Sequence, residues 1–148
     1  MKLCSTDRVR FHGVKKYMET TKYGFGKAVA LSFADAVTRV KETLALEGFG
    51  QLTEIDVQAK LKEKIGVEME PYVILGMCNP KLAHQALLIE TEIGLLLPCN
   101  VIVYEKDGVV RIAAQKPSLM SEVVGKSELE TIVDEAEQHL RKALESIV

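Results

Sequence analysis

The fold is decided by residues 95–114, which read LLLPCNVIVYEKDGVVRIAA. An apolar run entered through Pro98 leads into Lys106-Asp107-Gly108, and a second apolar run follows directly. Asp-Gly between two such runs is typical of a tight β-hairpin turn. This stretch therefore predicts two antiparallel strands, over Leu95–Tyr104 and Val109–Ala114.

Upstream of the hairpin, strand patterns alternate with helix patterns. Strands are predicted at Tyr23–Ala30, Phe49–Ile55 and Tyr72–Met77. Each is followed by a helix, and the three N-cap residues are Ser32, Asp56 and Asn79. A last amphipathic helix is predicted over Ser127–Ser146. The predicted order is β-α-β-α-β-α-β-β-α.

This order favours an α+β domain, a mostly antiparallel sheet with helices packed on one face. The alternative is a doubly wound parallel sheet, but no glycine-rich strand-to-helix turn of the nucleotide-binding type is present, since Gly24-Phe25-Gly26 lies inside a strand. We expect one domain over residues 21–148. Residues 1–20 are predicted to be a loosely ordered basic extension, because residues 1–17 carry a net charge of +4.

Composition narrows the classes of function. A length of 148 residues suits one ordinary domain, and a net charge of −2 does not favour nucleic acid or a membrane surface as a partner. The longest apolar run is shorter than the ~20 residues of a membrane-spanning helix. Three cysteines, Cys4, Cys78 and Cys99, do not make a paired disulfide framework, so we expect reduced thiols in a cytoplasmic protein.

The candidate chemistry lies in two Cys-Asn dipeptides, Cys78-Asn79 and Cys99-Asn100. If the strands that carry them are antiparallel neighbours, both thiols lie at the same end of the sheet. Cys78 also precedes the N-cap of a helix, whose positive end favours thiolate. His84 lies about one turn inside that helix and is the nearest candidate proton carrier or metal ligand.

Three interpretations of these residues remain open. The first treats both cysteines as small buried hydrophobic residues, with Asn79 and Asn100 bonding to the backbone and His84 on the surface. The second makes Cys78 a reactive thiol that Cys99 resolves. The third is a soft-metal site formed by Cys78, Cys99 and His84, with Glu54 as a further candidate ligand.

Glu54 and Asp56 offer a separate possibility near the end of the second strand. On one face of a strand, two carboxylates raise one another's pKa, as a general acid/base pair requires. The alternative is that Asp56 only caps a helix and Glu54 belongs to a solvated rim.

Three blocks of the sequence resemble the family of domain of unknown function 302. Gly48–Val57 is similar to its GFGVLTEIDV signature, Pro71–His84 to its PYxILGACNPxLAH block, and Glu92–Val101 to its EIGLLLPCNV block. The family pattern falls on these positions: Thr53, Glu54, Asp56, Cys78, Asn79, Pro80, Ala83, His84, Pro98, Cys99 and Asn100. Met77 departs from it, where a small residue is common.

The resemblance implies a fold like that of the TATA-binding protein, a homodimer, and bacterial or archaeal origin, which agrees with a cytoplasmic location. It implies no assigned reaction. Because the three blocks include Glu54, Cys78, His84 and Cys99, the resemblance favours a shared pocket.

The working prediction is a homodimeric module that binds a small ligand, sulfur or a metal at the Cys78/Cys99 end of the sheet. The ligand-binding residues are then Asn79, Cys99 and Asn100, and the cofactor is unknown, with a soft transition metal as the candidate. One alternative is a thiol-dependent enzyme with Cys78 as nucleophile and His84 or Glu54 moving the proton. The other is a structural or interaction protein without chemistry.

Overall fold

The structure is a computed structural model that describes residues 17–148. Residues 1–16, with Cys4 and most of the predicted basic extension, lie outside the described residues. The strands are β1 (Glu19–Thr20), β2 (Gly24–Val29), β3 (Gly50–Asp56), β4 (Tyr72–Cys78), β5 (Cys99–Lys106) and β6 (Val109–Gln115). The helices are α1 (Phe33–Leu46), α2 (Val57–Ile65), α3 (Pro80–Ile89), α4 (Ser118–Val124) and α5 (Glu130–Glu145), with 3₁₀ turns at Thr91–Leu96 and Ser127–Leu129.

The six strands form one sheet in the order β1-β2-β6-β5-β4-β3, and every neighbouring pair is antiparallel. The predicted α+β class with an antiparallel sheet is therefore confirmed. The predicted hairpin is β5–β6, in which Lys106 pairs with Val109. Its two turn residues, Asp107 and Gly108, have φ angles of 52° and 75°. Positive φ at both positions matches the right-handed twist of the flanking strands.

The three predicted helix starts are confirmed by side-chain caps. Ser32, Asp56 and Asn79 each accept a hydrogen bond from the backbone N–H three residues on, at 3.1, 2.9 and 3.2 Å. These bonds satisfy donors that have no partner inside the helix, and they fix where α1, α2 and α3 begin.

Strand alternation gives the sheet two different faces. Along β5, Val101 and Val103 are fully buried, while Ile102 and Tyr104 are half-buried and Asn100 is exposed. The face that carries the two valines is the helix-covered face, and the other is called the open face below. Successive side chains point to opposite faces of a strand, so each strand contributes to both.

The core lies between the helix-covered face and the helices α1, α3 and α5. Val40 and Leu44 of α1 and Leu140 and Leu144 of α5 are fully buried there. Lys27 of β2 also points to this side, and its Nζ donates to the carbonyl of Glu145 at 3.1 Å. No helix within residues 17–148 is long and apolar enough to cross a lipid bilayer.

The structure corrects three boundaries. Glu19 and Thr20, assigned to the extension, form β1 by pairing with Gly26 and Phe25. β5 begins at Cys99 rather than Leu95, because Pro98 has no N–H to donate to a strand ladder and a 3₁₀ turn precedes it. The predicted order has no helix between β6 and the last helix, where α4 lies; α4 has only seven residues and no side-chain cap.

Candidate functional site

The two cysteines of the predicted site come together at one end of the sheet. β4 and β5 are antiparallel neighbours, and Met77 pairs directly with Cys99, so Cys78 is one residue from the partner of Cys99. Both thiols are free. Both also line one cavity of about 40 Å³ between the end of the sheet and the helices. We call this space the thiol cavity.

Three layers of structure enclose the thiol cavity. The sheet contributes the ends of β4 and β5, α3 contributes Leu82 and Ala86, and α5 contributes Val133 and Ala136. Asn79 is the polar member of the lining, and its Oδ1 accepts the N–H of Leu82. Asn79, a predicted ligand-binding residue, therefore also has a structural role, because its side-chain amide caps the N-terminus of α3.

Burial controls the acidity of both thiols. Cys99 is 7% exposed, and burial together with the neighbouring Cys78 raises its pKa to about 12. Burial also raises the pKa of Cys78 above the ordinary thiol value. Burial therefore opposes the thiolate form that the N-terminus of α3 is predicted to favour at Cys78.

The predicted proton carriers lie elsewhere. Glu54 is on β3, where its carboxylate accepts Lys41 Nζ at 2.6 Å and Gln51 Nε2 at 2.9 Å. The Lys41 ammonium holds the pKa of Glu54 below its ordinary value. His84 is on the exposed side of α3 and is not part of the thiol cavity lining. The predicted catalytic set of Cys78, His84 and Glu54 is therefore not assembled.

The predicted metal ligands also separate. Within residues 17–148, no group of three or more His, Cys, Asp or Glu side chains is arranged to hold a metal ion. His84 points away from the two thiols because α3 packs on the core through Leu82 and Ala86, which leaves position 84 towards solvent. The set of Cys78, Cys99 and His84 is therefore corrected to the two cysteines alone.

Asn100 lies on the open face, in a separate and larger depression. Its backbone N–H donates to Gln115 Oε1 at 3.2 Å. Both residues line a groove of about 540 Å³ that crosses β1, β2, β5 and β6. We call it the open-face groove. Strand alternation sends Cys99 to one face and Asn100 to the other, although they are adjacent in sequence.

The open-face groove has a flat floor and mixed walls. Gly24 and Gly26 of β2 and Ala113 of β6 supply little side-chain volume, which leaves room above the strands. Tyr104 forms one wall and stacks on Tyr72, with ring centroids 5.5 Å apart and planes 20° from parallel. The remaining polar lining includes Arg111 and Glu19, which form an ion pair at 3.1 Å.

Sequence reasoning missed most of the open-face groove and one part of the thiol cavity. The alternation of Asn100, Ile102 and Tyr104 along the predicted hairpin was a usable signal for a second face. Met120, which lines the thiol cavity, belongs to α4, where the sequence-based order contains no helix. Nothing local marked it, since α4 becomes a helix only where it packs on α5.

The comparisons with known proteins agree with the fold. The family model described as Domain of unknown function DUF302 matches residues 25–147, and the chain belongs to this family. A crystal structure of an uncharacterized conserved protein DUF302 from Bacillus stearothermophilus is similar, with a TM-score of 0.81 and 30% sequence identity. The match covers 86% of this chain and 100% of that one. No curated protein matches the sequence.

Proposed function

We propose that this protein is a small-ligand-binding module whose site is the open-face groove. The observation that carries the proposal is the groove volume of about 540 Å³. Small-molecule pockets usually measure about 300–1,000 Å³. The thiol cavity, at about 40 Å³, is too small for an organic ligand. The groove includes Asn100 at the predicted end of the sheet, but it lies on the opposite face and extends along β5 to Tyr104.

The lining of the groove defines the class of ligand. A floor of glycine and alanine accepts a flat apolar body lying on the strands, and the Tyr104 ring offers a surface for stacking. Asn100 provides a donor and an acceptor for a polar edge. Arg111 adds a positive charge, which Glu19 compensates in the absence of a ligand. The ligand is therefore a small organic molecule with a flat apolar body and one polar or anionic edge.

The thiol-enzyme alternative has weaker support. A nucleophilic cysteine requires a depressed pKa or an adjacent base, and Cys78 has a raised pKa with neither Glu54 nor His84 beside it. A purely structural role differs from ligand binding in a measurable way, because it leaves the groove without affinity for any small molecule.

The proposal is tested with 8-anilinonaphthalene-1-sulfonate, a fluorescent probe that has a flat aromatic body and an anionic edge. We expect saturable binding of one probe per chain, with NMR amide shifts concentrated in β2, β5 and β6. Asn100→Ala removes the polar edge contact without touching the core, and we expect it to weaken binding by about 5–10-fold, the worth of one hydrogen bond.

The matched control is Gln85→Ala, which truncates an exposed amide on α3, outside the groove. It should leave the affinity of the probe unchanged. Shifts confined to other regions, or no saturable binding, would show that the groove is not a ligand site and would favour a structural role.

We propose secondly that the chain forms a homodimer through β3. β3 is the last strand of the sheet and pairs only with β4 among the described strands. All seven of its residues are exposed, including Leu52 at 63% and Ile55 at 46%. The edge of a sheet presents backbone N–H and C=O groups that can pair with a strand of another chain. Two copies of β3 related by a two-fold axis would form these hydrogen bonds with one another.

Light scattering coupled to size-exclusion chromatography tests this interface. Leu52→Lys places a charge on the edge, and we expect the dimer to dissociate. Leu46→Lys is the control, because Leu46 is 87% exposed at the end of α1 and lies outside the edge strand. A monomeric wild-type chain would contradict the proposal, and so would dissociation by both variants.

A further inference from the structure

Four sulfur-containing side chains line the thiol cavity. Met77 and Cys78 come from the end of β4, Cys99 from the start of β5 and Met120 from α4. Met77, Cys99 and Met120 are 1%, 7% and 4% exposed, while Cys78 is half-buried. Three separate elements of the fold thus contribute two cysteines and two methionines to the lining of one cavity.

The size of the thiol cavity restricts what it can hold. One water molecule requires about 10–15 Å³ of such space, so about 40 Å³ admits an ion or a few atoms. The rest of the lining is apolar apart from Asn79, whose Oδ1 is already bonded to the N–H of Leu82. Donor atoms for a bound ion are therefore sulfur atoms.

Sulfur donors discriminate among metal ions. Hard cations such as Mg²⁺ and Ca²⁺ take oxygen ligands, which this cavity does not offer. Zn²⁺ takes three or four nitrogen, sulfur or carboxylate ligands from the protein, and only two such groups are present here. Thiolate and thioether donors select Cu(I), which accepts low coordination numbers.

We propose that the thiol cavity binds one Cu(I) ion, with Cys78 and Cys99 as thiolate ligands and Met77 and Met120 as neutral thioether donors. This site is independent of the proposed open-face groove, which lies on the other face of the sheet. It replaces His84 of the sequence-based ligand set with Met77, which directly precedes Cys78, and with Met120, which comes from α4.

The proposed binding of Cu(I) conserves atoms and electrons. When Cu(I) binds, each thiol loses its proton to solvent, two Cu–S bonds form, and no electron is transferred. Two thiolates and one monovalent cation leave a net charge of −1 in the cavity. The N-terminus of α3, which begins at Pro80 two residues after Cys78, supplies partial positive charge beside it.

The test uses the full chain, reduced and anaerobic, in competition for Cu(I) with the chelator bathocuproine disulfonate. We expect one Cu(I) per chain. Mutation of residues that only hydrogen-bond to a metal ligand typically costs 10–100-fold in metal affinity. We therefore expect Cys78→Ser or Cys99→Ala, each of which removes a direct ligand, to lower the affinity for Cu(I) by about 100-fold or more. Met120→Leu conserves volume and removes one thioether, and we expect a loss of about 10-fold.

The matched control is Cys4→Ser, which removes the third cysteine of the chain and should change neither stoichiometry nor affinity. Urea unfolding of each variant verifies that it is folded, and Cys78→Ser keeps the test valid if Cys99→Ala does not fold, since Cys78 is half-buried. The proposal is overturned if the chelator removes all Cu(I) from the wild type. It also fails if affinity depends on Cys4 rather than on Cys78. Probe binding in the open-face groove is unaffected by either outcome.

Discussion

The two faces of the sheet carry different kinds of space on the two sides of the Cys99-Asn100 step. On the helix-covered face, Cys99 borders a cavity of about 40 Å³ walled by apolar and sulfur-containing side chains. On the open face, Asn100 borders a groove of about 540 Å³ with charged, amide and aromatic groups. One residue step along β5 separates the two environments. Adjacent members of one sequence motif therefore meet different environments when the motif lies on a strand.

The largest expected effect is the difference in the free energy of unfolding between a side-chain truncation on the helix-covered face and one on the open face. Leu75 of β4 is fully buried on the helix-covered face, and we expect Leu75→Ala to lower the free energy of unfolding by about 2–5 kcal/mol, because it leaves a cavity. Ile102→Ala on the open face should cost about 1 kcal/mol, since solvent fills the space. Urea unfolding measures both. Equal losses would mean that the open face is packed against another surface in solution.

The next effect concerns the floor of the open-face groove. A Cβ placed on Gly26 lies 2.6 Å from the Cβ of Ala113, so Gly26→Ala forces the strands apart. We expect a loss of about 1–3 kcal/mol in the free energy of unfolding. Gly50→Ala is the control, because a Cβ there meets no atom within 4 Å. A stable Gly26→Ala variant would show that β2 and β6 are less closely packed than described.

The smallest effect, taken per pH unit, is a pH dependence from the thiol cavity. Burial raises the pKa of Cys99 from 9.0 to about 12. The folded state keeps this proton where the unfolded state loses it, so stability is full below pH 9.0 and falls as pH rises towards 12. The slope is at most about 1.4 kcal/mol per pH unit. Urea midpoints across this range should decline less steeply for Cys99→Ala than for the wild type. Identical slopes would mean that the Cys99 thiol is solvated.

The fold was predictable because its signals are local. Asp107-Gly108 identified the hairpin, and the caps at Ser32, Asp56 and Asn79 fixed three helix starts. Those residues act on their own backbone within a few positions, so a single sequence is sufficient to interpret them. β1 was missed because two residues carry no periodicity and form a strand only by pairing with β2.

The site was predictable only in part because it depends on which face each residue occupies. The sequence placed Cys78 and Cys99 at the same end of the sheet only if the strands that carry them were antiparallel neighbours, and this pairing is present between β4 and β5. It could not place Glu54, whose position follows from the ion pair with Lys41 on α1. Nor could it show that burial raises the pKa of Cys78, because the depth of a cavity is a property of the packed layers.

The two-residue turn at Asp107-Gly108 fixes more than the connection between β5 and β6. It sets which residue of β6 faces each residue of β5, and so it holds Val101 opposite Ala114 at the far end of the β5–β6 ladder. Because side chains alternate with a period of two, an insertion of one residue in this turn and a matching slip of β5 would send Asn100 inward and Cys99 outward. The length of the turn therefore sets the strand register, and the register decides that Cys99 faces the thiol cavity and Asn100 faces solvent.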